Sequence, residues 1–247
     1  MDKSKIYNDS FYRNRNLETR YSANKIEAII LKYFQVQSAV DVGCGVGTWL
    51  NELRKHGVER VKGLDGDYVN RNYLVISKDE FIPTDLSNKI TLNEKFDLAI
   101  SLEVAEHLKP SRAKGFVEDL CRLSDVVLFS AATLKQGGDD HVNEQRLSYW
   151  INKFNNQGYD VIDIIRPQIW NDRKIPVWYR ENIVVFVNRT KKECILREEI
   201  KSPPIYDMIH PDLYEIKMRE YEELKNSVPV QIYLKLKELG KKYRSKD

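Results

Sequence analysis

An α/β architecture with a doubly wound, mainly parallel sheet follows from three features of the 247 residues. Strand-like and helix-like segments alternate from Ser22 to Val187. A glycine-rich turn, Gly43-Cys44-Gly45-Val46-Gly47, falls where the first strand gives way to a helix. Two acids, Asp65 and Asp85, then stand at the carboxyl ends of the next two strands.

Residues 1–21 are rich in Asn, Arg and Tyr and read as an arm or lid. From Ser22, the spacing of Ile26, Ile29, Ile30 and Tyr33 or Phe34 predicts a helix with one apolar face. Ser38 to Val42 reads as a buried strand, and Val46 to His56 as a helix stopped by Gly57. Further strands are expected at Arg60–Leu64, Glu80–Ile82 and Phe96–Ser101. A helix resumes after Pro110 and runs to Leu123, before a fifth strand, Asp125–Ser130. Glu144 to Asn156 predicts another helix, and Val161–Ile165 and Ile183–Val187 two last strands. No crossover helix is evident between those two, so the final strand is expected to run antiparallel. Residues 22–190 thus form the main domain and 191–247 a helical extension. In the extension Ser202-Pro203-Pro204 breaks the chain. Tyr214, Met218, Tyr221 and Leu224 share a helical face, Val230–Leu239 is read as helix, and the tail from Lys235 is basic.

The composition, 42% hydrophobic and 31% charged, excludes wholesale disorder. A net charge of +3 does not call for nucleic acid as a partner. Cys44, Cys121 and Cys194 are odd in number and widely spaced, which fits a reducing compartment better than a disulfide or zinc framework. The polar stretch Met1–Thr19 is no signal peptide, and no apolar run reaches membrane-spanning length. A cytoplasmic location is expected; the oligomeric state is not encoded in any pattern of the sequence.

Glycines at a strand-to-helix turn let backbone approach a ligand, and the helix N-terminus offers free N–H groups. The spacing Gly-x-Gly-x-Gly is not the dinucleotide fingerprint, because Thr48 stands where its third glycine belongs. Asp65 can accept bonds from both hydroxyls of a ribose, and Asp85 a bond from an adenine amine. Either acid can equally cap a turn. With all three features in register, residues 22–190 resemble the class I S-adenosylmethionine-dependent methyltransferases. The resemblance implies a Rossmann-like sheet of seven strands, the last antiparallel. It implies that Gly43, Cys44 and Gly45 line the cofactor, with Asp41 and Gly66 beside them. It further implies that Asp65 holds the ribose, that Asp85 and Leu86 flank the adenine, and that Ser101, Leu102 and Glu103 lie beside the sulfonium.

The segment Ser101-Leu102-Glu103-Val104-Ala105-Glu106-His107 ends a central strand, where α/β sheets place ligands. On a helical turn Glu103, Glu106 and His107 share one face. His141, on the loop after the fifth strand, faces the same pocket. These four residues suit a divalent cation, Mg²⁺, Mn²⁺ or Fe²⁺. Glu106, His107 and His141 equally suit removal of a hydroxyl proton without metal. The bland alternative is one acid packing beside the cofactor and an exposed His. Asn143 and Glu144 read as the start of the following helix.

The Glu-x-x-Glu-His segment resembles metal-assisted O-methyltransferases, including those acting on ubiquinone precursors and on the terminal ribose of small RNAs. His141-Val142-Asn143-Glu144-Gln145, with Trp178-Tyr179-Arg180-Glu181-Asn182, resembles bacterial methyltransferases of surface-polysaccharide or capsule modification, some of which act on sugars or phosphoramidate groups. Trp170, Arg173, Lys174, Trp178, Tyr179 and Arg180 either hold a sugar, base or phosphate or build a folded hairpin. The expectation is an O-methyltransferase for a small polar acceptor. RNA ribose methylation is the second enzymatic reading; a contiguous basic track or an extra RNA-binding domain would favour it. A non-catalytic cofactor-binding scaffold is the third, opposed by the complete glycine loop, Asp65 and Asp85.

Overall fold

Strand β1 (Ser38–Val42) is buried at every residue, as a strand flanked on both sides and covered on both faces must be. It pairs in parallel with β2 (Arg60–Asp65) and β4 (Leu98–Leu102). These two pair in parallel with β3 (Phe81–Pro83) and β5 (Val126–Ser130) respectively. Then β7 (Val184–Asn188) runs antiparallel between β5 and β6 (Tyr159–Ile162). The order β3-β2-β1-β4-β5-β7-β6 reverses direction of travel between β1 and β4, which opens a crevice at the carboxyl ends of those strands. The expected seven-stranded sheet with its last strand antiparallel is therefore present.

The computed structural model describes residues 9–195 and 207–229. Alternation along the strands divides the core into two layers. Ala39, Val61, Leu98, Ile100, Leu128 and Val185 face one layer, covered by α1 (Asp9–Tyr33) and α2 (Thr48–Lys55). Val40, Val42, Ala99, Val127, Phe129 and Phe186 face the other, covered by α3 (Ala113–Leu123) and α4 (Leu147–Asn155). Phe154 stacks on Phe186 with ring centroids 3.7 Å apart, and Trp150 tilts against Phe129. Each such side chain contributes roughly 1.5–3 kcal/mol on full burial.

Several elements differ from their sequence-based bounds. Helix α1 begins at Asp9, so the division expected between residues 21 and 22 falls inside one helix. Tyr21 anchors it by donating to Asp172 at 2.8 Å. Helix α4 starts at Leu147 and not at Glu144, because the Glu144 carboxylate bonds backward to the loop before it. The stretch after β4 is not a full helical turn from Ser101. Glu103 takes a left-handed conformation at φ 55°, and a single 3₁₀ turn follows at Ala105–His107. In place of a hairpin, residues 166–182 form two short helices, α5 (Arg166–Ile169) and α6 (Val177–Asn182). Helix α7 (Lys192–Ile195) follows β7.

The chain divides into two compact units, Met1–Met208 and Ile209–Asp247. The described part of the second is α8 (Pro211–Asn226), which carries the expected face of Tyr214, Met218, Tyr221 and Leu224. Its first turn has Pro211 and a cap in which Asp212 N–H donates to His210 Nδ1. The Ser202-Pro203-Pro204 break, the Val230–Leu239 segment and the basic tail lie outside the described residues. Among the described residues no helix is long and apolar enough to cross a membrane.

Candidate active site

The glycine loop leaves β1 through three positive-φ residues, Gly43, Gly45 and Gly47. At Gly43 two demands coincide: φ is +91°, and a Cβ there would come within 2.3 Å of Val104 Cγ2. The loop is held to β2 by its backbone. Gly43 and Cys44 N–H both donate to the Leu64 carbonyl, and Gly45 N–H donates to Asp65 Oδ2 at 2.7 Å. Asp65 Oδ1 accepts Gly66 N–H and the Tyr68 hydroxyl, each at 2.6 Å. Asp65 and Asp41 are both buried, and burial, then the charge of Asp65, pushes the Asp41 carboxyl well up. Cys44 turns its thiol into the core beside Gly63, so it meets the loop's ligand side only through backbone. Burial raises that thiol as well.

Asp85 sits on the far side of the sheet's first half. It is exposed and caps its own turn, accepting Ser87 N–H, Ser87 Oγ–H and an Asn88 amide N–H. Those bonds, the Ser87 hydroxyl first, lower its carboxyl. A groove of about 450 Å³ opens beside it, lined by Leu64, Ile82, Asn88 and Leu92, with Leu86 half-buried nearby.

At the end of β4 the side chains sort into two groups. Ser101 is fully buried, and Leu102 is half-buried. Glu106, His107 and His141 bring one ligand atom each to within 4.8 Å of one another. The two imidazoles meet edge to face, 4.8 Å between centroids. Glu106 is wholly buried, and neither of its oxygens has a hydrogen-bond partner among the described residues. Burial, with the Glu103 carboxylate second, pushes its carboxyl up to about 9. Near neutral pH Glu106 is therefore the uncharged acid, and its ionised form needs a cation beside it.

Glu103 stands outside that trio. Its Oε2 accepts Gln136 Nε2 at 3.1 Å and its Oε1 accepts Asn182 Nδ2 at 3.4 Å. Asn182 also donates to Gln136 Oε1 at 2.8 Å, so three elements close on one carboxylate. Burial raises Glu103 against the bonds from Ser130, Gln136 and Asn182. The left-handed backbone at Glu103 breaks the continuous helical face that the spacing suggests, yet its carboxyl still lies beside that of Glu106 and within the influence of His141.

Sequence reasoning did not single out Gln136, and it read Glu144 as a helix start. Glu144 Oε1 accepts His141 Nδ1 at 3.0 Å and Gly137 N–H at 2.7 Å, and Oε2 accepts Lys135 N–H at 2.7 Å. Burial works against the ionised form, but these bonds hold its carboxyl below the usual range. Two cations of the 166–182 region serve the scaffold, whereas Arg173 and Lys174 are exposed. Arg166 is buried on Asp163 and the Glu181 carbonyl, and Arg180 on the carbonyls of Ile175 and Trp170.

A seven-stranded sheet of this order, with a glycine loop after β1 and an acid after β2, defines an α/β enzyme that binds a nucleoside cofactor at its strand ends. A family model described as a methyltransferase domain matches residues 13–166. The chain belongs to that family and is an S-adenosylmethionine-dependent methyltransferase. Solved structures agree on the fold. The plantazolicin methyltransferase BpumL, solved with S-adenosylhomocysteine, is 19% identical over 75% of this chain and 89% of its own, with a TM-score of 0.52. Magnesium protoporphyrin IX methyltransferase from Synechocystis PCC 6803 is 17% identical over 70% of this chain and 84% of its own, also with a TM-score of 0.52. An O-methyltransferase family protein from Burkholderia thailandensis is 12% identical over 76% of this chain and 63% of its own, with a TM-score of 0.53. No curated protein matches the chain at a significant level.

Proposed function

We propose that this methyltransferase moves the methyl group of S-adenosylmethionine to a hydroxyl or phosphate-type oxygen of a small polar acceptor, a sugar, nucleotide-linked or phosphoramidate intermediate of surface-polysaccharide synthesis. The observation that carries the oxygen chemistry is the trio Glu106, His107 and His141 at the carboxyl end of β4. In this reading Gly43, Cys44 and Gly45 with Asp41 receive the amino-acid end of the cofactor. Asp65 and Gly66 hold the ribose, Asp85 and Leu86 border the adenine, and Ser101, Leu102 and Glu103 lie under the sulfonium. S-adenosylhomocysteine is the product.

The sulfonium already activates the methyl group. The protein must align an oxygen about 3 Å away, in line, and take its proton. His141 or His107 accepts that proton. The same trio, two imidazoles and a carboxylate, suits Mg²⁺, Mn²⁺ or Fe²⁺, and the donor-free Glu106 carboxylate fits a cation. A divalent ion there supplies positive charge that makes the acceptor oxygen more acidic. Glu103, held by Gln136 and Asn182 beside Glu106, is the fourth residue of this ligand set.

The polysaccharide assignment is supported by the His141–Gln145 and Trp178–Asn182 segments, which resemble such enzymes. Both segments reach the site, through His141 and through Asn182 on Glu103. A cytoplasmic location fits, with Cys44 and Cys121 both free thiols. The test is methyl transfer from labelled S-adenosylmethionine to a panel of nucleotide-linked sugars, phosphoramidates and short RNAs, with and without divalent metal. Label on the RNA ribose alone would refute this acceptor class.

A further inference from the structure

The loop between β5 and α4 adopts a costly conformation for a reason. Within six residues Lys135, Gly137, Gly138 and Asp140 all have positive φ, at 64°, 78°, 152° and 58°. Two of these are not glycine, and such strain persists only where surrounding bonds over-determine it. The bonds converge on one side chain. The Glu144 carboxylate accepts the N–H groups of Lys135 and Gly137 and the Nδ1 of His141. The far end of the loop is sewn to the trio itself, because Val142 and Asn143 N–H both donate to the Glu106 carbonyl at 2.9 Å. Gly138 completes the seat. A Cβ there would lie 2.5 Å from both Cε1 and Nε2 of His141, so the imidazole rests directly on the glycine backbone.

We propose that Glu144 is the positioning residue of this site: it fixes the tautomer and the seat of His141, so that the ring that meets His107 edge to face keeps its lone pair on Nε2. The inference rests on the reading that this trio acts in methyl transfer. A carboxylate with three donors can only accept, so the hydrogen of a neutral His141 sits on Nδ1 and the lone pair on Nε2. A lone pair is what a cation or a substrate proton requires. Glu144 thus stands one bond behind the working atom, as the carboxylates behind metal-bound and general-base imidazoles do. The same three bonds set the loop backbone, so one residue decides both where the ring lies and which nitrogen is free.

The first test is direct. In the wild-type full chain, nitrogen NMR of ¹⁵N-histidine-labelled protein above neutral pH should show His141 with its hydrogen on Nδ1. A hydrogen on Nε2 would overturn the proposal. The second uses Glu144→Gln, whose amide can donate to Nδ1 and so favours the opposite tautomer. It should move the His141 hydrogen to Nε2 and lower kcat about 10–100-fold, with S-adenosylhomocysteine affinity unchanged. Glu144→Asp, which still only accepts, should recover part of that loss. A Glu144→Gln enzyme at the wild-type rate, in which His141→Ala is inactive, would overturn the role of Glu144 alone. A His141→Ala enzyme at the wild-type rate would instead sink the reading of the trio.

Discussion

The hydroxyl of Tyr68 donates to Oδ1 of Asp65 at 2.6 Å, while the Tyr68 ring lies so close over Gly66 that a Cβ there would sit 2.1 Å from it. With Gly45 and Gly66 N–H also bonded to it, Asp65 has three of its roughly four acceptor positions engaged. A ribose offering two hydroxyls needs two. The backbone donors belong to the loops that frame the site, whereas Tyr68 is 64% exposed. If Asp65 holds the ribose as proposed, the phenol is the donor that ribose displaces. Tyr68→Phe should tighten S-adenosylhomocysteine binding about 3–10-fold, since a bond to a charged group no longer has to be broken. Calorimetry showing weaker or equal binding would contradict this competition.

Asp65 joins a structural duty to the chemical one proposed for it. It locks the glycine loop through Gly45, and in the proposed reading its remaining capacity goes to the ribose. Asp65→Ala should weaken cofactor binding by about 1–3 kcal/mol. Asp65→Asn separates the duties: it keeps an acceptor for Gly45 and loses the charge. Unchanged affinity in a folded Asp65→Ala protein would remove Asp65 from the cofactor site.

What the sequence disclosed and what it concealed divide along the range of the interactions. The glycine loop, Asp65 and most strands of the sheet were legible because each rests on a local rule, such as burial period, turn chemistry or a strand-end acid; β6, expected at Val161–Ile165, instead spans Tyr159–Ile162, because Asp163 and Ile164 turn into the loop before α5. The position of Glu103 was not. A helical spacing grouped it with Glu106 and His107, but its left-handed backbone and its bonds to Ser130, Gln136 and Asn182 set its carboxyl beside Glu106 and outside the compact trio. Those partners lie 27, 33 and 79 residues away in the chain, beyond any spacing argument. Glu144 was misread for the opposite reason. Its sequence context fits a helix start, but three donors in the preceding loop compete for the same carboxylate and win. The signal available was the density of Gly and Asp from 137 to 140, which marks a loop tight enough to need an internal clamp.

Glu27 gives a stability prediction independent of the active site. It is fully buried in α1, with neither oxygen bonded to a partner among the described residues. Burial, then the charges of Glu52 and Asp41, raise its carboxyl from the ordinary 4.5 to about 9. A raised folded-state value means that the native protein binds this proton more tightly than the unfolded chain. The stabilisation is complete below about pH 4.5 and is lost as the pH climbs to about 9. Glu27→Gln should therefore stabilise the protein by about 1–3 kcal/mol near pH 8.5 and by almost nothing at pH 4.5. Denaturant melts at the two values test it; an equal increment at both would show that the carboxyl is not protonated in the fold.

The last prediction concerns the trio at β4. If Glu106, His107 and His141 hold a divalent ion against the acceptor oxygen, removing any one of them affects turnover and leaves the cofactor's own contacts on the glycine loop and Asp65 in place. Glu106→Ala or His107→Ala should lower kcat at least about 100-fold, within the 10²–10⁴ typical of a lost proton-transfer group, with S-adenosylhomocysteine affinity unchanged. Chelation should abolish turnover, and Mn²⁺ or Mg²⁺ should restore it. Glu106 sharpens the distinction between the two chemistries. Its buried, unpartnered carboxyl gains most from a cation, so Glu106→Gln should be as damaging as Glu106→Ala with a metal present. In a metal-free mechanism with an imidazole as the base, the same change would relieve a desolvated acid and leave the rate nearly intact. Full turnover by protein stripped of metal, verified by elemental analysis, would assign the site to imidazole base catalysis, with a rate that falls below about pH 6.5 as the ring takes up its second proton.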